Sequence, residues 1–369
     1  MSDFQNGKEK LPLPALADLR DAISAVDGQI LDLLNRRASL SLAVGKAKIG
    51  NKDDVVFRPG REAELLRELA ASNPGPLPED HLRAIYREII SSSRYLQRPQ
   101  CVAFLGPEGT FSHIAGLELL GSLASFHPQM NLSQVFSAVE EEDCDIGIVP
   151  LENSLQGSVG QSFDLFSRHS LHIRAETFLR IRHSLLSPER ELAAIHTVYS
   201  HPQPLAQCAF WLQSNLPRAR VVPMESTAAA AHYVTKEPGA AAIAHMALAD
   251  TLNLHVLAHS VEDQPGNWTR FVVVGRTPAD RPGTDKTSLL FSVSDKPGSL
   301  AAVLQCFSNA CVNMRKLESR PQPGQSWKYV FFADLECDLL EERYAHVLKE
   351  LDRHCHFVRV LGSYPSGKG

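Results

Sequence analysis

The chain has 369 residues, which is enough for two or three domains. Its 42 acidic and 37 basic residues leave a net charge of −5, so the overall electrostatics do not favour nucleic-acid binding. A membrane span would need about 20 consecutive apolar residues, and the polar stretch at residues 1–10 lacks the apolar core of a signal peptide, so the sequence predicts a soluble, cytoplasmic protein.

Residues 12–97 follow a helical pattern. Apolar residues recur every three or four positions from Leu16 to Ala47, which predicts one long helix with a buried stripe. Arg37 stands in this stripe where a leucine would fit, and Lys48 follows about three turns later at nearly the same azimuth. Two cations on one stripe indicate a pocket for a small polyanion. The alternative is that Arg37 pairs with an internal carboxylate or extends to the surface.

Two shorter helices complete this segment. Pro59 suits a first helical turn, and a helix continues from Arg61 to Ala70. After a break at residues 73–76, Glu79 begins a third helix that ends near Gln97. The first helix would be about 50 Å long at ~1.5 Å per residue, so two short helices make a poor core for it. A homodimer is the simplest way to cover the long helix.

Residues 101–275 alternate short apolar runs with helical stretches, which is typical of an α/β fold. Small and hydroxyl-rich turns follow several of the runs. Helix N-termini that follow strand ends are where α/β proteins bind anionic ligands. The predicted strands are Val102–Leu105, Ile146–Val149, Thr197–Tyr199, Ala240–Ala244 and Phe271–Val274.

Residues 276–286 are rich in proline, glycine and charge and are predicted to be a linker. Residues 287–362 then follow the order β-α-β-β-α-β, which is that of a small ferredoxin-like unit. The predicted strands and helices are Ser288–Val293, a helix that opens at residues 297–300, Asn313–Glu318, Tyr329–Leu335, the helix Leu339–Asp352, and Phe357–Leu361.

The chain has seven cysteines, an odd number, and no Cys-x-x-Cys pair. This usage is typical of reduced thiols in a cytosol. His354-Cys355-His356 and the pair His255/His259 are possible metal ligands, but the segment around His255 alternates like a strand, so its two histidines do not converge. Incidental histidines are the better interpretation, and the sequence predicts neither a metal nor a cofactor.

Motifs along the chain resemble one family. The middle segment is similar to prephenate dehydratase, the C-terminal segment resembles an ACT domain, and the first is similar to an all-helical chorismate mutase of the AroQ class. Together they resemble the bifunctional P-protein family. The motifs are Gly106–His113, Val149–Ser154, Tyr199–Gln203, Glu225–Thr227 and Trp268–Phe271 in the middle segment, and the Pro297–Leu300 turn and Glu318–Pro321 in the last.

The resemblance implies a multidomain fold: an all-α mutase domain at 12–98, a two-lobed α/β dehydratase domain at 100–276 and an α+β ferredoxin-like ACT domain at 287–364. It also implies a bifunctional enzyme of phenylalanine biosynthesis that converts chorismate to prephenate and then to phenylpyruvate under feedback inhibition by L-phenylalanine. Two alternatives stay open: a dehydratase that acts mainly on arogenate, and a non-enzymatic amino-acid sensor.

The mutase reaction is an intramolecular rearrangement that needs no nucleophile, so a site works by holding the dicarboxylate and stabilising the polarised transition state. Arg20 lies about 25 Å from Arg37 along a rigid helix, and in this family the equivalent arginine comes from the partner subunit. Arg58 stands where one form of the family has aspartate; it can substitute if the backbone N–H makes the contact, but not if the side chain does. By resemblance, the catalytic residues are Arg37, Lys48 and Gln97, and the substrate-binding residues are Arg20, Arg58, Arg61, Glu62 and Ser93.

For the dehydratase, the resemblance marks Thr269 as essential. We expect its hydroxyl to hydrogen-bond, or relay a proton, to the leaving oxygen. Arg270 is equally suited to a structural pair and to a ligand contact. The implied substrate-binding residues are Glu152, Asn153, Ser200, Gln207, Ser226 and Thr227.

The C-terminal unit implies regulation. Phenylalanine would bind at an ACT dimer interface, and its coupling to substrate binding must be reciprocal. The alternative is that the unit only dimerises. The implied effector-binding residues are Gly298, Ser299, Leu300, Glu318, Ser319, Arg320 and Pro321.

Overall fold

A computed structural model describes residues 15–50, 55–280, 283–321 and 329–367. The helices are α1 (Leu16–Gly50), α2 (Pro59–Ser72), α3 (Glu79–Gln97), α4 (Phe111–Leu120), α5 (Leu132–Glu140), α6 (Gly160–Arg168), α7 (Pro202–Gln207), α8 (Ala209–Asn215), α9 (Thr227–Val234), α10 (Leu248–Leu252), α11 (Ser299–Asn309) and α12 (Ala345–His354). None of the helices in the described part of the chain is long and apolar enough to cross a membrane.

The strands form three sheets. They are β1 (Cys101–Leu105), β2 (Ser125–Gln129), β3 (Ile146–Asn153), β4 (Gly157–Ser158), β5 (His172–Arg180), β6 (Ser184–Ser187), β7 (Thr197–Ser200), β8 (Arg220–Pro223), β9 (Ala240–Ala244), β10 (His255–Ala258), β11 (Trp268–Gly275), β12 (Lys286–Val293), β13 (Met314–Pro321), β14 (Tyr329–Leu335) and β15 (Cys355–Tyr364).

The three predicted N-terminal helices are confirmed as α1, α2 and α3. The second half of α1 packs against α3, and Gly45 allows a close approach because a Cβ there would lie 3.0 Å from the Cα of Gln97. The first half of α1, called its free half, exposes its apolar stripe in the part of the chain that the structure describes. The prediction that this stripe is buried is therefore wrong within one chain, because α3 packs only on the second half of the helix. Fractional exposure is 45–64% for Leu16, Leu19, Ile23, Val26, Ile30 and Leu33.

The middle segment has two lobes, each built on its own sheet. The first sheet has the strand order β2-β1-β3-β11-β5, with β4 paired to β3, and the second has the order β10-β6-β9-β7-β8. The chain passes from the first lobe to the second after β5 and returns before β11. All five strands predicted here are present, and the two-lobed α/β architecture is confirmed.

Several strands of the two lobes were not predicted from the sequence. β2 and β8 are short strands with mostly exposed residues at sheet edges. β2 carries little apolar signal, and β8 has only four residues, of which Val221 and Val222 are its sole strand-favouring ones. β5 was not predicted for a different reason: it buries two charged residues, Arg174 and Glu176. Charges in a buried strand mask the apolar run that a central strand normally shows.

The last segment has the predicted order β-α-β-β-α-β and forms a sheet of order β13-β14-β12-β15. The predicted helix at 339–352 begins later, since a 3-10 turn at Glu342–Tyr344 precedes α12. One face of the sheet packs on α11 and α12. The other face joins the core of the first lobe, where the Phe332 and Phe163 rings lie 4.7 Å apart.

The expectation of reduced thiols is wrong for one pair of cysteines. Cys101 and Cys144 form a disulfide with a Cα–Cα distance of 4.8 Å. The pairing of neighbouring parallel strands β1 and β3 brings them together across a separation of 43 residues, which spacing in the sequence does not reveal. The free cysteines of the described residues are Cys208, Cys306, Cys311, Cys337 and Cys355.

Candidate functional site

Arg37 lies half-buried between α1 and α3. Its guanidinium donates to the hydroxyl of Ser93 and, at 3.3 Å, to the carbonyl of Ile89. Gln97 lies one turn further along α3 and donates from Nε2 to the Ser93 carbonyl at 3.1 Å. Both acceptors of Arg37 are neutral, so no carboxylate among the described residues neutralises this cation. This argues against the internal ion pair considered for Arg37, and the polyanion pocket stays a prediction.

Three of the other predicted mutase residues make polar contacts with neighbouring groups. Lys48 donates from Nζ to the carbonyl of Val55 at 2.9 Å. Arg61 is exposed and pairs with Glu64 at 2.6 Å. Glu62 pairs with buried Arg94 at 2.6 Å. Arg58 precedes α2 and is half-buried, and Arg20 lies on the free half of α1.

A cleft of about 900 Å³ separates the two lobes of the middle segment. Five residues predicted for the dehydratase site line this cleft, from both lobes. They are Asn153, Gln207, Ser226, Thr227 and Thr269.

Asn153 and Thr269 form the best-defined polar contact in the cleft. The Oδ1 atom of Asn153 accepts from the backbone N–H groups of Leu155 and Gln156 at 3.0 and 3.1 Å. This fixes the amide, so its Nδ2 must donate; it does so to Thr269 Oγ1 at 2.9 Å and to Asn267 Oδ1 at 2.6 Å. Because Oγ1 of Thr269 accepts this bond, the hydroxyl proton of Thr269 is left for another acceptor.

Two helix N-termini open on the cleft. Thr110 and Phe111 at the start of α4 line it from the first lobe, and Ser226 and Thr227 at the start of α9 line it from the second. Ser226 caps α9 by accepting from the backbone of Ala229 at 3.0 Å. Free backbone N–H groups and the helix dipole make both ends suitable for carboxylates.

Sequence reasoning missed several residues of the cleft, among them His183 and Asn267. His183 is 1% exposed; its Nε2 lies 2.9 Å from Gln207 Oε1, while its Nδ1 has no hydrogen-bond partner among the described residues. Burial lowers the pKa of His183 below its usual value, so the ring is neutral at pH 7. Asn267 directly precedes the Trp268–Phe271 motif, so its position was a usable signal.

Three predicted or considered residues do not face the cleft. The hydroxyl of Ser200 is buried and donates to the carbonyl of Ile243 at 2.6 Å. Glu152 binds Lys316 of the C-terminal unit at 2.7 Å. Arg270 joins a buried network with Glu176 at 2.7 Å and with Asp334 and Tyr364, which makes it a structural residue.

The predicted effector residues fall into two groups. Gly298 has a left-handed backbone, φ 85°, at the start of α11, with Ser299 and Leu300 after it. On β13, Ser319 and Pro321 are exposed. Glu318 and Arg320 instead face the dehydratase segment, where they contact Ser158 at 2.8 Å and Asp164 at 3.2 Å.

Comparison with known proteins assigns both segments. A family model of chorismate mutase type II matches residues 19–98, and one of prephenate dehydratase matches residues 102–279. A bifunctional chorismate mutase/prephenate dehydratase of Aquifex aeolicus is 40% identical over 95% of this chain and 98% of its own length.

Two solved structures are similar over 72% of this chain. One is GqqA, described as a novel type of quorum quenching acylase, with 30% identity, 98% of that chain covered and a TM-score of 0.66. The other is a prephenate dehydratase from Arthrobacter aurescens in complex with L-Phe, with 33% identity, 90% of that chain covered and a TM-score of 0.65. With both family models and a full-length relative in agreement, the chain belongs to the bifunctional chorismate mutase/prephenate dehydratases, which convert chorismate to prephenate and prephenate to phenylpyruvate.

Proposed function

We propose that prephenate binds in the cleft between the two lobes and that Thr269 donates a hydrogen bond to the ring hydroxyl that leaves. The observation that supports this most strongly is the fixed amide of Asn153, whose donation to Thr269 Oγ1 at 2.9 Å leaves the threonine proton for the ligand. A neutral hydroxyl is a weak acid, so Thr269 stabilises or relays charge on the leaving oxygen and does not protonate it outright.

The remaining chemistry follows from the substrate. As the C–O bond breaks, its electron pair goes to the hydroxyl oxygen, which takes up a proton from solvent and leaves as water. The ring carboxylate leaves as carbon dioxide, and the electron pair of that C–C bond completes the aromatic ring. Aromatisation provides the driving force, so the protein has to orient the two carboxylates and assist the hydroxyl. The N-termini of α4 and α9 supply donors for the carboxylates, and the unpaired Nδ1 of neutral His183 is a further contact for the ligand.

For the mutase, we propose that Arg37 and Lys48 face the carboxylates and ether oxygen of chorismate, with Ser93 and Gln97 beside them on α3. Arginine suits this role because it binds carboxylates in a bidentate way. Arg20 of the partner subunit would complete the site. The exposed apolar stripe on the free half of α1 supports a homodimer, because a second copy of that helix would bury it.

The C-terminal unit is proposed to be a ferredoxin-like ACT domain that binds L-phenylalanine between two copies of the chain. Its strand order, β13-β14-β12-β15, fits this fold. The Arthrobacter relative, solved with L-Phe, supports the identity of the effector. The left-handed Gly298 leaves open space at the start of α11, where a ligand can approach the backbone.

The dehydratase proposal is tested with Thr269→Ala and Thr269→Ser, each supplied with prephenate. Loss of a positioned hydroxyl should lower kcat by about 10²–10⁴-fold in the alanine variant. The serine variant keeps the hydroxyl and should retain most of the activity. Chorismate mutase activity of the same samples reports whether the chain is folded. Wild-type kcat in a folded Thr269→Ala variant would contradict the role of this hydroxyl.

A further inference from the structure

Strand β13 of the C-terminal unit contacts the dehydratase segment through alternate side chains. Lys316 lies 2.7 Å from Glu152 Oε1 and donates to Ser158 Oγ at 2.8 Å. Ser158 in turn donates to Glu318 at 2.8 Å, and Arg320 contacts Asp164. The side chains of β13 at these alternate positions therefore form a continuous polar seam against the dehydratase segment.

The fit along this seam is close. A Cβ at Gly160 would lie 2.7 Å from Nη2 of Arg320, so a larger residue where α6 begins would displace the guanidinium. The Lys316 side chain is only 12% exposed, and its ammonium lies 5.7 Å from the centre of the Phe163 ring. A cation held this firmly, between an aromatic face and a carboxylate, has a defined position.

The residues that Lys316 binds belong to the hairpin that carries Asn153. Strands β3 and β4 pair with Glu152 opposite Ser158 and Asn153 opposite Gly157. Lys316 therefore bridges one cross-strand pair, while the neighbouring pair carries the amide that donates to Thr269. Ser158 and Gly157 also line the cleft. The ammonium thus holds the β3–β4 hairpin from the C-terminal unit, while Asn153 of the same hairpin lines the cleft.

We propose that Lys316 is a positioning residue for the dehydratase reaction, acting from the C-terminal unit through Glu152 and Ser158 on Asn153. The inference rests on the proposed function of the Asn153–Thr269 pair. It also couples effector binding on β13 to the geometry of the cleft. A ligand that shifts β13 near Ser319 must move Lys316 on the same strand, and Lys316 contacts the hairpin directly.

The test compares Lys316→Met, which keeps the length of the side chain but not its charge, with Lys316→Arg, which keeps the charge. Lys349→Met is the matched control, since Lys349 is an exposed lysine of the same unit. Prephenate kcat and KM, inhibition by L-phenylalanine and chorismate mutase activity are measured on each full-length variant. A misplaced catalytic group should cost about 10–100-fold in kcat for Lys316→Met.

The inference predicts that KM changes less than kcat, that Lys316→Arg restores most of the loss, and that the remaining activity of Lys316→Met responds less to L-phenylalanine. Lys349→Met should behave as the wild type. Glu152→Gln removes the charge that Lys316 binds and should lower kcat for prephenate to the same extent. The double variant with Lys316→Met should lose no more kcat than either single variant.

Wild-type kcat in Lys316→Met, or additive losses in the double variant, would overturn the inference. If Lys316→Met also loses mutase activity, Glu152→Gln alone decides, and wild-type kcat in that variant would overturn the inference. Failure of the proposed function itself looks different. In that case Thr269→Ala would keep its activity, whereas failure of this inference alone leaves Thr269→Ala inactive and Lys316→Met normal.

Discussion

Burial controls the charge of two histidines beside the cleft. The Phe111 ring lies 5.6 Å from that of His183 and 5.7 Å from that of His245. Burial, with a smaller contribution from His183, lowers the pKa of His245 from 6.5 to about 4. Both rings are therefore neutral in the folded protein at pH 7, while both would take up protons in the unfolded chain below about pH 6.5.

This difference predicts a pH-dependent stability. Between pH 6.5 and about 4 the unfolded state binds more protons at His245 than the folded state, so the free energy of unfolding falls as the pH falls. His245→Asn removes this effect, and Asn can still accept from the Ala247 backbone as His245 does at 3.2 Å. Urea unfolding at pH 7 and pH 4 should show a loss smaller than that of the wild type by on the order of 3 kcal/mol.

The matched control is His259→Asn, because His259 is exposed. This variant should lose as much stability between the two pH values as the wild type. Equal losses in wild type and His245→Asn would mean that His245 is not held neutral in the folded protein.

At the scale of residues, the resemblance led to Thr269, Asn153 and Gln207, which do line the cleft. It could not show where Glu152 points. Glu152 and Asn153 are neighbours on one strand, so their side chains point to opposite faces. Which face meets the substrate and which meets Lys316 depends on how the C-terminal unit docks, and nothing local in the sequence records that.

At the scale of elements, α1 is the part that the sequence predicted most completely. Its 3-4 periodicity predicted the helix and its length, and Pro59 and Glu79 marked the next two helices. The burial predicted for the stripe is wrong within one chain, since its apolar residues are exposed. The same periodicity shows why α1 needs a partner, because its apolar stripe stays exposed even at Leu40 and Val44, in the half that packs against α3. What the pattern could not predict is the partner's orientation.

The helix α1 carries Arg20 away from its own Arg37, so the proposed shared site can be tested by complementation. Arg20→Ala and Arg37→Ala chains should each lack mutase activity as homodimers. Refolded together in equal amounts, half of the dimers are mixed, and each mixed dimer holds one site with both arginines, so about a quarter of wild-type activity should return.

Mutase assays before and after co-refolding measure this recovery. The control mixes either variant with Arg20→Ala/Arg37→Ala, which cannot assemble an intact pair. No recovery in the mixture, with full dehydratase activity as the sign of folding, would mean that the two arginines act within one chain.

At the scale of the whole molecule, buried polar contacts join the three segments. Arg270 of the dehydratase segment binds Asp334 of the C-terminal unit, and Arg174 donates to the Phe57 carbonyl at 2.6 Å. Such pairs lie far apart in the sequence and have no local pattern. Changes of composition and periodicity therefore predicted the separate segments, while their mutual arrangement became visible only in three dimensions.

The central claim is that two separate sites in one chain carry out consecutive reactions. It is tested most directly by supplying chorismate to Arg37→Ala, to Thr269→Ala and to an equal mixture of the two, and following prephenate and phenylpyruvate. We predict that Arg37→Ala forms neither product, that Thr269→Ala accumulates prephenate, and that the mixture forms phenylpyruvate. A mixture that forms no phenylpyruvate, although Arg37→Ala still converts added prephenate, would contradict the account.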